Sequence, residues 1–267
     1  MSAARPSNHP NIISGHFEAT ADSQLYVVRG NQYGYVTTGT FFQCSGVAGK
    51  KEIDFEVKLV ANTVISNALE EGILYSLTGA RLIALNDGST PTITYTQDSI
   101  MRIGKAVDCG LDFSNQTGVV GLGIIVEKSE IPSPHVREDV QLLVFVSHND
   151  WDPMARCHHP FLTKYIVPAS KNLVKMHVLY VLGREMSIVG HWVDWHIAGK
   201  MMVVLVGGLS VTSGQQNPRS ALKGGSDPST PSGRGRKLFT FKKGKASPLT
   251  PSPTLSGSGS STPASVS

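Results

Sequence analysis

The fold class is indicated most directly by one segment, Leu82-Ile-Ala-Leu-Asn-Asp-Gly-Ser-Thr-Pro-Thr-Ile-Thr-Tyr95. Two short apolar or β-branched runs flank Asn86-Asp87-Gly88, and the glycine supplies the positive φ angle that a tight turn requires. The pattern predicts a β-hairpin with strands over residues 72–85 and 92–96. Ile197-Ala-Gly-Lys200 predicts a similar turn between two later strands.

The same alternation of short apolar runs and turn residues continues on both sides of this hairpin. Charged residues make up only 16% of the chain, against about 25% in an average globular protein, which favours strands and loops over helices. Helix is expected only for a turn or two near residues 64–71. The sequence therefore predicts an all-β or mostly β fold, with strands over residues 24–29, 33–42, 51–61, 72–85, 92–96, 119–127, 140–148, 162–167, 174–182, 185–196 and 201–210.

Length and cysteine content exclude several classes of protein. A chain of 267 residues can form one large or two small domains. Cys44, Cys109 and Cys157 are far apart and odd in number, so they predict neither a disulfide framework nor a zinc knuckle, and a reducing compartment is expected. No secretory signal is expected, because Met1–Pro10 is polar and no apolar segment follows it. No membrane span is expected either, because Met201–Leu209, the longest apolar run, is about half the length of a spanning helix.

The composition changes at about Gly214. Proline, serine and glycine dominate after this point, and residues that could form a core are scarce. We therefore expect a flexible N-terminus over residues 1–15, a folded β body, and a disordered C-terminal tail over residues 214–267. Within the body we predict two barrel-like units in tandem, over residues 16–117 and 118–213.

A short sequence repeat supports these two units. Leu74-Tyr-Ser-Leu-Thr-Gly79 recurs 105 residues later as Leu179-Tyr-Val-Leu-Gly183. Each copy is predicted to open a β-hairpin. Chance remains an alternative explanation, because leucine, valine, glycine and tyrosine are common in any half-buried strand.

These segments resemble a known fold family. A strand leading into Gly72–Gly79, followed by a hairpin with an Asn-Asp-Gly turn, resembles the first strands of the OB-fold barrels of single-stranded DNA-binding proteins. The strands Ile188–His196 and Met201–Leu209 resemble a second such barrel. The resemblance implies two OB-like barrels and a non-enzymatic protein that binds single-stranded DNA or RNA. A protein-interaction or scaffold module without nucleic-acid affinity is the alternative, since one fold serves many functions.

Motifs for catalysis and for cofactors are weak. Gly46-Val-Ala-Gly-Lys-Lys51 lacks the first glycine and the hydroxyl residue of a phosphate-binding loop, and no nucleophile elbow is present. The segment Ser147–His159 contains histidines, aspartates and Cys157 and could hold a metal, but its residues also suit a long surface loop. We expect no cofactor, no metal and no catalytic residues.

Aromatic residues interleaved with cations are the candidate nucleic-acid contacts of the body. Single strands are bound by stacking bases on rings while lysine and arginine follow the phosphates. The predicted contacts in the body are Arg81, Tyr95, Arg102, Lys105, Arg184, Trp192, Trp195 and Lys200.

The tail carries most of the positive charge. From Gly208 onward eight basic residues stand against Asp227 alone, a net charge of +7, so the residues before it carry −3 of the total of +4. Its cations predict a nuclear-localisation or phosphate-contacting patch, with a merely solvated linker as the alternative and the cytoplasm as the alternative location. The cations of this patch are Arg234, Arg236, Lys237, Lys242, Lys243 and Lys245.

The tail also contains five candidate phosphorylation sites. Each is a serine or threonine that precedes proline, and each phosphate would bring about −1.5 to −2 charges. A few phosphates would therefore cancel the positive charge of the tail. The five sites are Thr230, Ser247, Thr250, Ser252 and Thr262.

Overall fold

A computed structural model describes residues 7–26, 33–51, 53–133 and 140–212. The described residues are mostly β, as predicted, with one four-residue helix, α1, over Lys171–Val174. The strands are β1 Asn11–Glu18, β2 Gln24–Tyr26, β3 Tyr33–Cys44, β4 Ile53–Val64, β5 Ile73–Ile83, β6 Thr92–Thr94, β7 Ile100–Lys105, β8 Gly118–Pro132, β9 Val140–Asp152, β10 Cys157–Val167, β11 Glu185–His196 and β12 Met201–Val211.

Five strands of the second half form a closed barrel. β8 pairs with β9, β9 with β10, β10 with β12, and β12 with β11, which pairs again with β8. All these pairings are antiparallel except that of β10 with β12. Helix α1 lies between the third and fourth strands of this barrel. A five-stranded barrel of this kind is the architecture that the OB-fold resemblance implies.

The strands of the first half pair in a comparable order. β2 pairs with β3, β3 with β4, β4 in parallel with β6, β6 with β5, and β5 with β1. An isolated bridge joins Ala19, just after β1, to Thr40 on β3. β1 also pairs with β8, so one continuous sheet runs through both halves. The division into two units therefore stays a prediction.

Both turns predicted from the sequence are confirmed. β5 and β6 form an antiparallel hairpin around Asn86-Asp87-Gly88, and both Asn86 and Gly88 have positive φ angles, of 61° and 97°. β11 and β12 are joined by the turn at residues 197–200, where Lys200 has a φ of 50°. Turn chemistry is local, so the sequence alone is enough to locate these turns.

Three predictions about individual segments differ from the structure. The strand expected at 174–182 is wrong, because α1 is followed there by a 3-10 turn over His177–Leu179. The two copies of the repeat consequently differ in structure. Leu74–Gly79 lies within strand β5, whereas Leu179–Gly183 begins at the end of this 3-10 turn. β1 begins at Asn11, inside the segment expected to be loose, and its Ile13 is fully buried.

The main hydrophobic core extends across both halves. The ring of Trp192 on β11 stacks on Phe42 of β3, with ring centroids 3.7 Å apart, and Phe42 also stacks on Phe55 of β4. Large buried side chains from β1, β5 and β9 join the same cluster. None of the helices in the described part of the chain has the length and hydropathy of a membrane span.

Candidate nucleic-acid interface

The predicted aromatic contacts are largely buried. Trp192 is fully buried, and the Tyr95 side chain is buried between β6 and the following turn, which raises the pKa of its hydroxyl to about 12. Trp195 is half-buried and packs against the core next to Trp192. Neither Trp192 nor Tyr95 offers an open ring face to a base in this conformation. Pairing register decides on which face of the sheet each of these side chains lies, and the sequence does not specify the register by itself.

Most of the predicted cations of the body already contact acceptors of the chain itself. Arg81 donates a hydrogen bond to the fully buried carboxylate of Asp150, and Arg102 makes two hydrogen bonds to Glu70, at 3.0 and 3.1 Å. Arg184 donates to the carbonyl oxygen of Leu179.

The two turns at the strand ends contact each other. Lys200 Nζ donates to the carbonyl oxygen of Asp87 at 2.8 Å, and Asn86 Nδ2 donates to the carbonyl oxygen of Lys200 at 3.1 Å. Lys105 is exposed at the end of β7. The structure therefore brings Lys200 against the Asn86 turn but does not gather the predicted residues into one patch. The tail cations, Arg234 to Lys245, lie outside the described residues.

An open cleft lies on the outer face of β3 and β4, and the predicted residue Tyr95 is part of its lining together with side chains that were not predicted. Tyr33 and Tyr35 of β3 form part of its wall with Asn62 of β4, which is the direct ladder partner of Tyr35. Thr94 of β6 and Gln97 in the next turn line the cleft further along. Its volume is about 540 Å³, within the usual range for small-ligand sites. We call this the tyrosine cleft.

The tip of the β9–β10 hairpin borders the tyrosine cleft. Tyr35 Oη donates a hydrogen bond to the carbonyl oxygen of Pro153 at 3.0 Å, which fixes the ring orientation. Trp151, two residues earlier, is 43% exposed and meets His158 edge-on, with ring centroids 5.3 Å apart. Arg156 is exposed in the same turn. Exposed rings and an exposed guanidinium thus lie on neighbouring elements.

The chemistry of the tyrosine cleft suits a nucleobase. Tyr33 is 65% exposed, so its ring face is open, while the amides of Asn62 and Gln97 can donate to and accept from base edges. Asp98 is the acidic residue among the lining side chains.

The sequence contained a signal for the tyrosine cleft that our candidate set did not use. Tyr33 and Tyr35 are two residues apart on a predicted strand, so their side chains lie on the same face. Trp151 and Arg156 belong to the segment we considered for metal binding. The approach of this hairpin tip to Tyr35 is made through Pro153, more than a hundred residues away in the sequence, and no local pattern reveals it.

The segment Ser147–His159 is an extended hairpin and not a long loop. His148 and Asp150 are fully buried on β9, and burial lowers the pKa of His148 to about 4. Across the residues with described positions, no three histidine, cysteine or acidic side chains are grouped as a metal site would require. Cys157 and His159 lie 3.4 Å apart between Sγ and Nε2, and His159 faces Asp152 at 3.5 Å.

Comparison with known proteins yields structural matches alone. No protein-family model matches the chain, and no curated protein matches its sequence. A deletion mutant of the single-stranded DNA-binding protein from Thermus aquaticus is similar with 12% identity and a TM-score of 0.43, over 79% of this chain and 98% of that chain.

Two further matches are weaker. The small single-stranded DNA-binding protein from Streptomyces coelicolor has 4% identity and a TM-score of 0.30, over 37% of this chain and 95% of that chain. A replication protein A heterotrimer bound to single-stranded DNA has 12% identity and a TM-score of 0.24, over 80% of this chain and 52% of that chain. Single-stranded DNA-binding proteins, the family that the sequence resembles, are thus among the similar structures.

Proposed function

We propose that this protein binds single-stranded nucleic acid, DNA or RNA, in the tyrosine cleft. The observation that carries the proposal is the exposed ring of Tyr33, which lies beside amide side chains on the outer face of β3 and β4. A base stacked on Tyr33 would have its edge within reach of Asn62 and Gln97. Duplex bases are already stacked and paired, so the cleft favours single strands.

Stacking is expected to supply more of the affinity than charge. Asp98 lines the cleft, and the residues up to Gly207 carry a net charge of −3, so phosphate attraction by the body is weak. Arg156 at the hairpin tip is the exposed cation that could follow the phosphates. Since each phosphate contact adds to the salt dependence of binding, the cleft itself should show a shallow salt dependence.

Replacement of Tyr33 tests this proposal. Tyr33→Ala should weaken binding of a labelled single strand by about 1–3 kcal/mol, because one stacking contact is lost. Tyr33→Phe keeps the ring and should bind like the unmodified chain. Because the side chain is exposed, neither substitution should change the unfolding midpoint much. Fluorescence anisotropy of the full chain with oligonucleotides at several salt concentrations provides the measurement.

The outcomes of this experiment are distinct. Equal affinities of the Tyr33→Ala and Tyr33→Phe variants for the oligonucleotide would show that the nucleic acid binds outside the tyrosine cleft. No binding of DNA or RNA single strands at high micromolar concentration would reject nucleic acid as the ligand. Equal binding of duplex and single strands would contradict a stacking mechanism.

The basic tail is proposed to add non-specific affinity and to direct the protein to the nucleus. Its +7 charge supports phosphate attraction, and phosphorylation of its Ser-Pro and Thr-Pro sites would reduce that charge. Replacing its six clustered cations with alanine should flatten the salt dependence of binding and reduce nuclear accumulation. An unchanged salt slope together with unchanged localisation would make the segment a plain linker.

A further inference from the structure

A small cleft lies where β1 and β3 meet the connection between β7 and β8. Glu18 of β1 lines it together with Phe41 and Gln43 of β3. On the side of the connection, Phe113 is part of its wall. The ring of His16 on β1 stacks on Phe113, with ring centroids 4.7 Å apart, so this wall is held in place by a direct contact. We call this the Glu18 cleft.

The Glu18 cleft is much smaller than the tyrosine cleft. Its volume is about 90 Å³, against about 540 Å³ for the tyrosine cleft. Sites for whole small-molecule ligands are usually larger than this. The Glu18 cleft therefore suits a compact group of a few heavy atoms that belongs to a longer molecule.

Two half-buried polar side chains of the cleft have no partner among the described residues. The carboxylate of Glu18 forms no ion pair or hydrogen bond with another described side chain, and the amide of Gln43 forms none either. A cleft whose lining carries charge of one sign raises the local concentration of ions of the opposite sign. An unpaired carboxylate in such a position therefore favours a positively charged ligand.

Acidic residues also exceed cations around the cleft. The exposed acidic residues that flank it are Asp54, Glu56, Asp108 and Asp112. The first two lie directly opposite Gln43 and Phe41 in the ladder of β3 and β4, and the other two belong to the connection that forms the wall. Lys105, at the end of β7, is the cation that precedes this connection. The surplus of negative charge attracts cations and repels phosphates.

The lining favours a methylated ammonium group over a primary one. Aromatic faces attract cations, and Phe41 and Phe113 supply two rings. A primary ammonium is compact and strongly hydrated, and its three N–H donors need acceptors. Leu74 and Ala106, which also line the cleft, offer apolar side chains and no such acceptor. Methyl groups on the nitrogen can contact these apolar side chains while the charge stays attracted to the rings.

We propose that the Glu18 cleft binds a methylated ammonium group, the cation that choline compounds and methylated lysine side chains share. The Glu18 carboxylate balances the charge of the ligand. The rings of Phe41 and Phe113 contact its methyl groups. The protein thereby has a second binding site, with a ligand chemistry opposite in charge to nucleic acid.

The Glu18 cleft is separate from the proposed nucleic-acid site. Phe41 and Tyr35 lie on the same outer face of β3, but they are six positions apart, which is about 20 Å along a strand. The acidic surroundings of Phe41 also repel phosphates. Ligands of the two clefts should therefore bind independently.

Small ligands test the proposal on the full chain. The probe is choline, and saturation-transfer NMR of its methyl signal measures binding. We expect saturable binding of choline. The isosteric alcohol in which carbon replaces the choline nitrogen should bind about tenfold more weakly, because the rings and the carboxylate attract the charged group. Ethanolamine, the corresponding primary ammonium, should also bind about tenfold more weakly.

Variants of the protein locate the site. Glu18→Gln keeps the shape of the side chain and should weaken choline binding about tenfold, because the negative charge is lost. Phe41→Leu keeps an apolar side chain without a ring and should weaken it about threefold. Tyr33→Ala in the tyrosine cleft is the matched control and should leave choline binding unchanged. Unchanged unfolding midpoints would show that Glu18→Gln acts on the ligand and not on the fold.

Two peptides distinguish the sources of the group. One carries a central trimethylated lysine and the other the same lysine unmodified, and the methylated peptide should bind about tenfold more tightly. Tighter binding of this peptide than of choline would assign the ligand to a modified protein, and the reverse order would assign it to a choline compound. Both orders support the proposal.

Other outcomes would overturn it. No saturable binding of choline or of the methylated peptide at high millimolar concentration would show that the cleft is not a cation site. Equal affinities for choline and the isosteric alcohol would reduce the contact to an apolar one. Choline binding that Tyr33→Ala abolishes and Glu18→Gln leaves unchanged would place the cation in the tyrosine cleft.

Discussion

At the residue scale, burial has its clearest chemical effect on the imidazole of His148. Its Nδ1 donates to the carbonyl oxygen of Leu122 at 2.8 Å, and its Nε2 accepts from the hydroxyl of Tyr165 at 3.1 Å, which fixes a neutral tautomer. Burial is the main cause that lowers the pKa of this imidazole to about 4, and neighbouring His9 lowers it further. The side chain therefore has a structural role in joining β9 to β8 and β10.

This histidine predicts a pH dependence of stability. The unfolded chain takes up the proton near pH 6.5 and the folded chain only near pH 4, so the free energy of unfolding should fall between these values. This lowering of the pKa corresponds to a loss of about 3 kcal/mol in the free energy of unfolding. Urea unfolding from pH 7 to pH 4 should show a shallower fall for His148→Gln than for the unmodified chain. His16→Gln, at an exposed ring, should keep the full slope, and identical slopes for all three chains would contradict the prediction.

At the element scale, the β11–β12 hairpin depends on a close approach of two strands at Gly190. A Cβ atom there would lie 2.3 Å from the carbonyl oxygen of Leu205, which is backbone and cannot move aside alone. Gly190→Ala should therefore lower the free energy of unfolding by about 1–3 kcal/mol, the usual cost of overpacking. Gly208→Ala on β12 is the matched control, because nothing lies within 4 Å of its Cβ position. Comparable denaturant midpoints for the two variants would show that the strands separate at little cost.

Most strands and turns could be predicted from the sequence, whereas the face of each strand that is buried could not. The Asn86 turn and the Lys200 turn are specified by neighbouring residues, and both are confirmed. The burial of Trp192 and Tyr95 depends on pairing register and on contacts with distant strands. The guanidinium of Arg81 donates a hydrogen bond to Asp150, 69 residues away in the sequence. The tyrosine cleft requires β3 and the β9–β10 tip to meet, so its composition could be recognised in the sequence only in part.

At the scale of the whole molecule, β1 connects the two halves of the chain. Ile13 is fully buried and lies between Ala80 of β5 and Val119 of β8 as direct ladder partners. Asn11, on the same strand, donates a hydrogen bond to Thr163 of β10 at 3.1 Å. Because one strand supplies core residues and pairing to both halves, we expect the described body to unfold as one cooperative unit.

Substitution of Ile13 tests this cooperativity. Ile13→Ala should lower the free energy of unfolding by about 2–5 kcal/mol, as for other large-to-small changes in a core. All three tryptophans lie on β9 and β11, so tryptophan fluorescence reports on the second half and on the contact of Trp192 with Phe42 of β3, whereas far-ultraviolet circular dichroism reports on the strands of both halves. The two signals should change at the same denaturant concentration and should shift together in Ile13→Ala. Ile65→Ala, at a side chain that is 60% exposed, should shift neither. Separate transitions, or a shift in circular dichroism without one in fluorescence, would instead show that the two halves are independent domains.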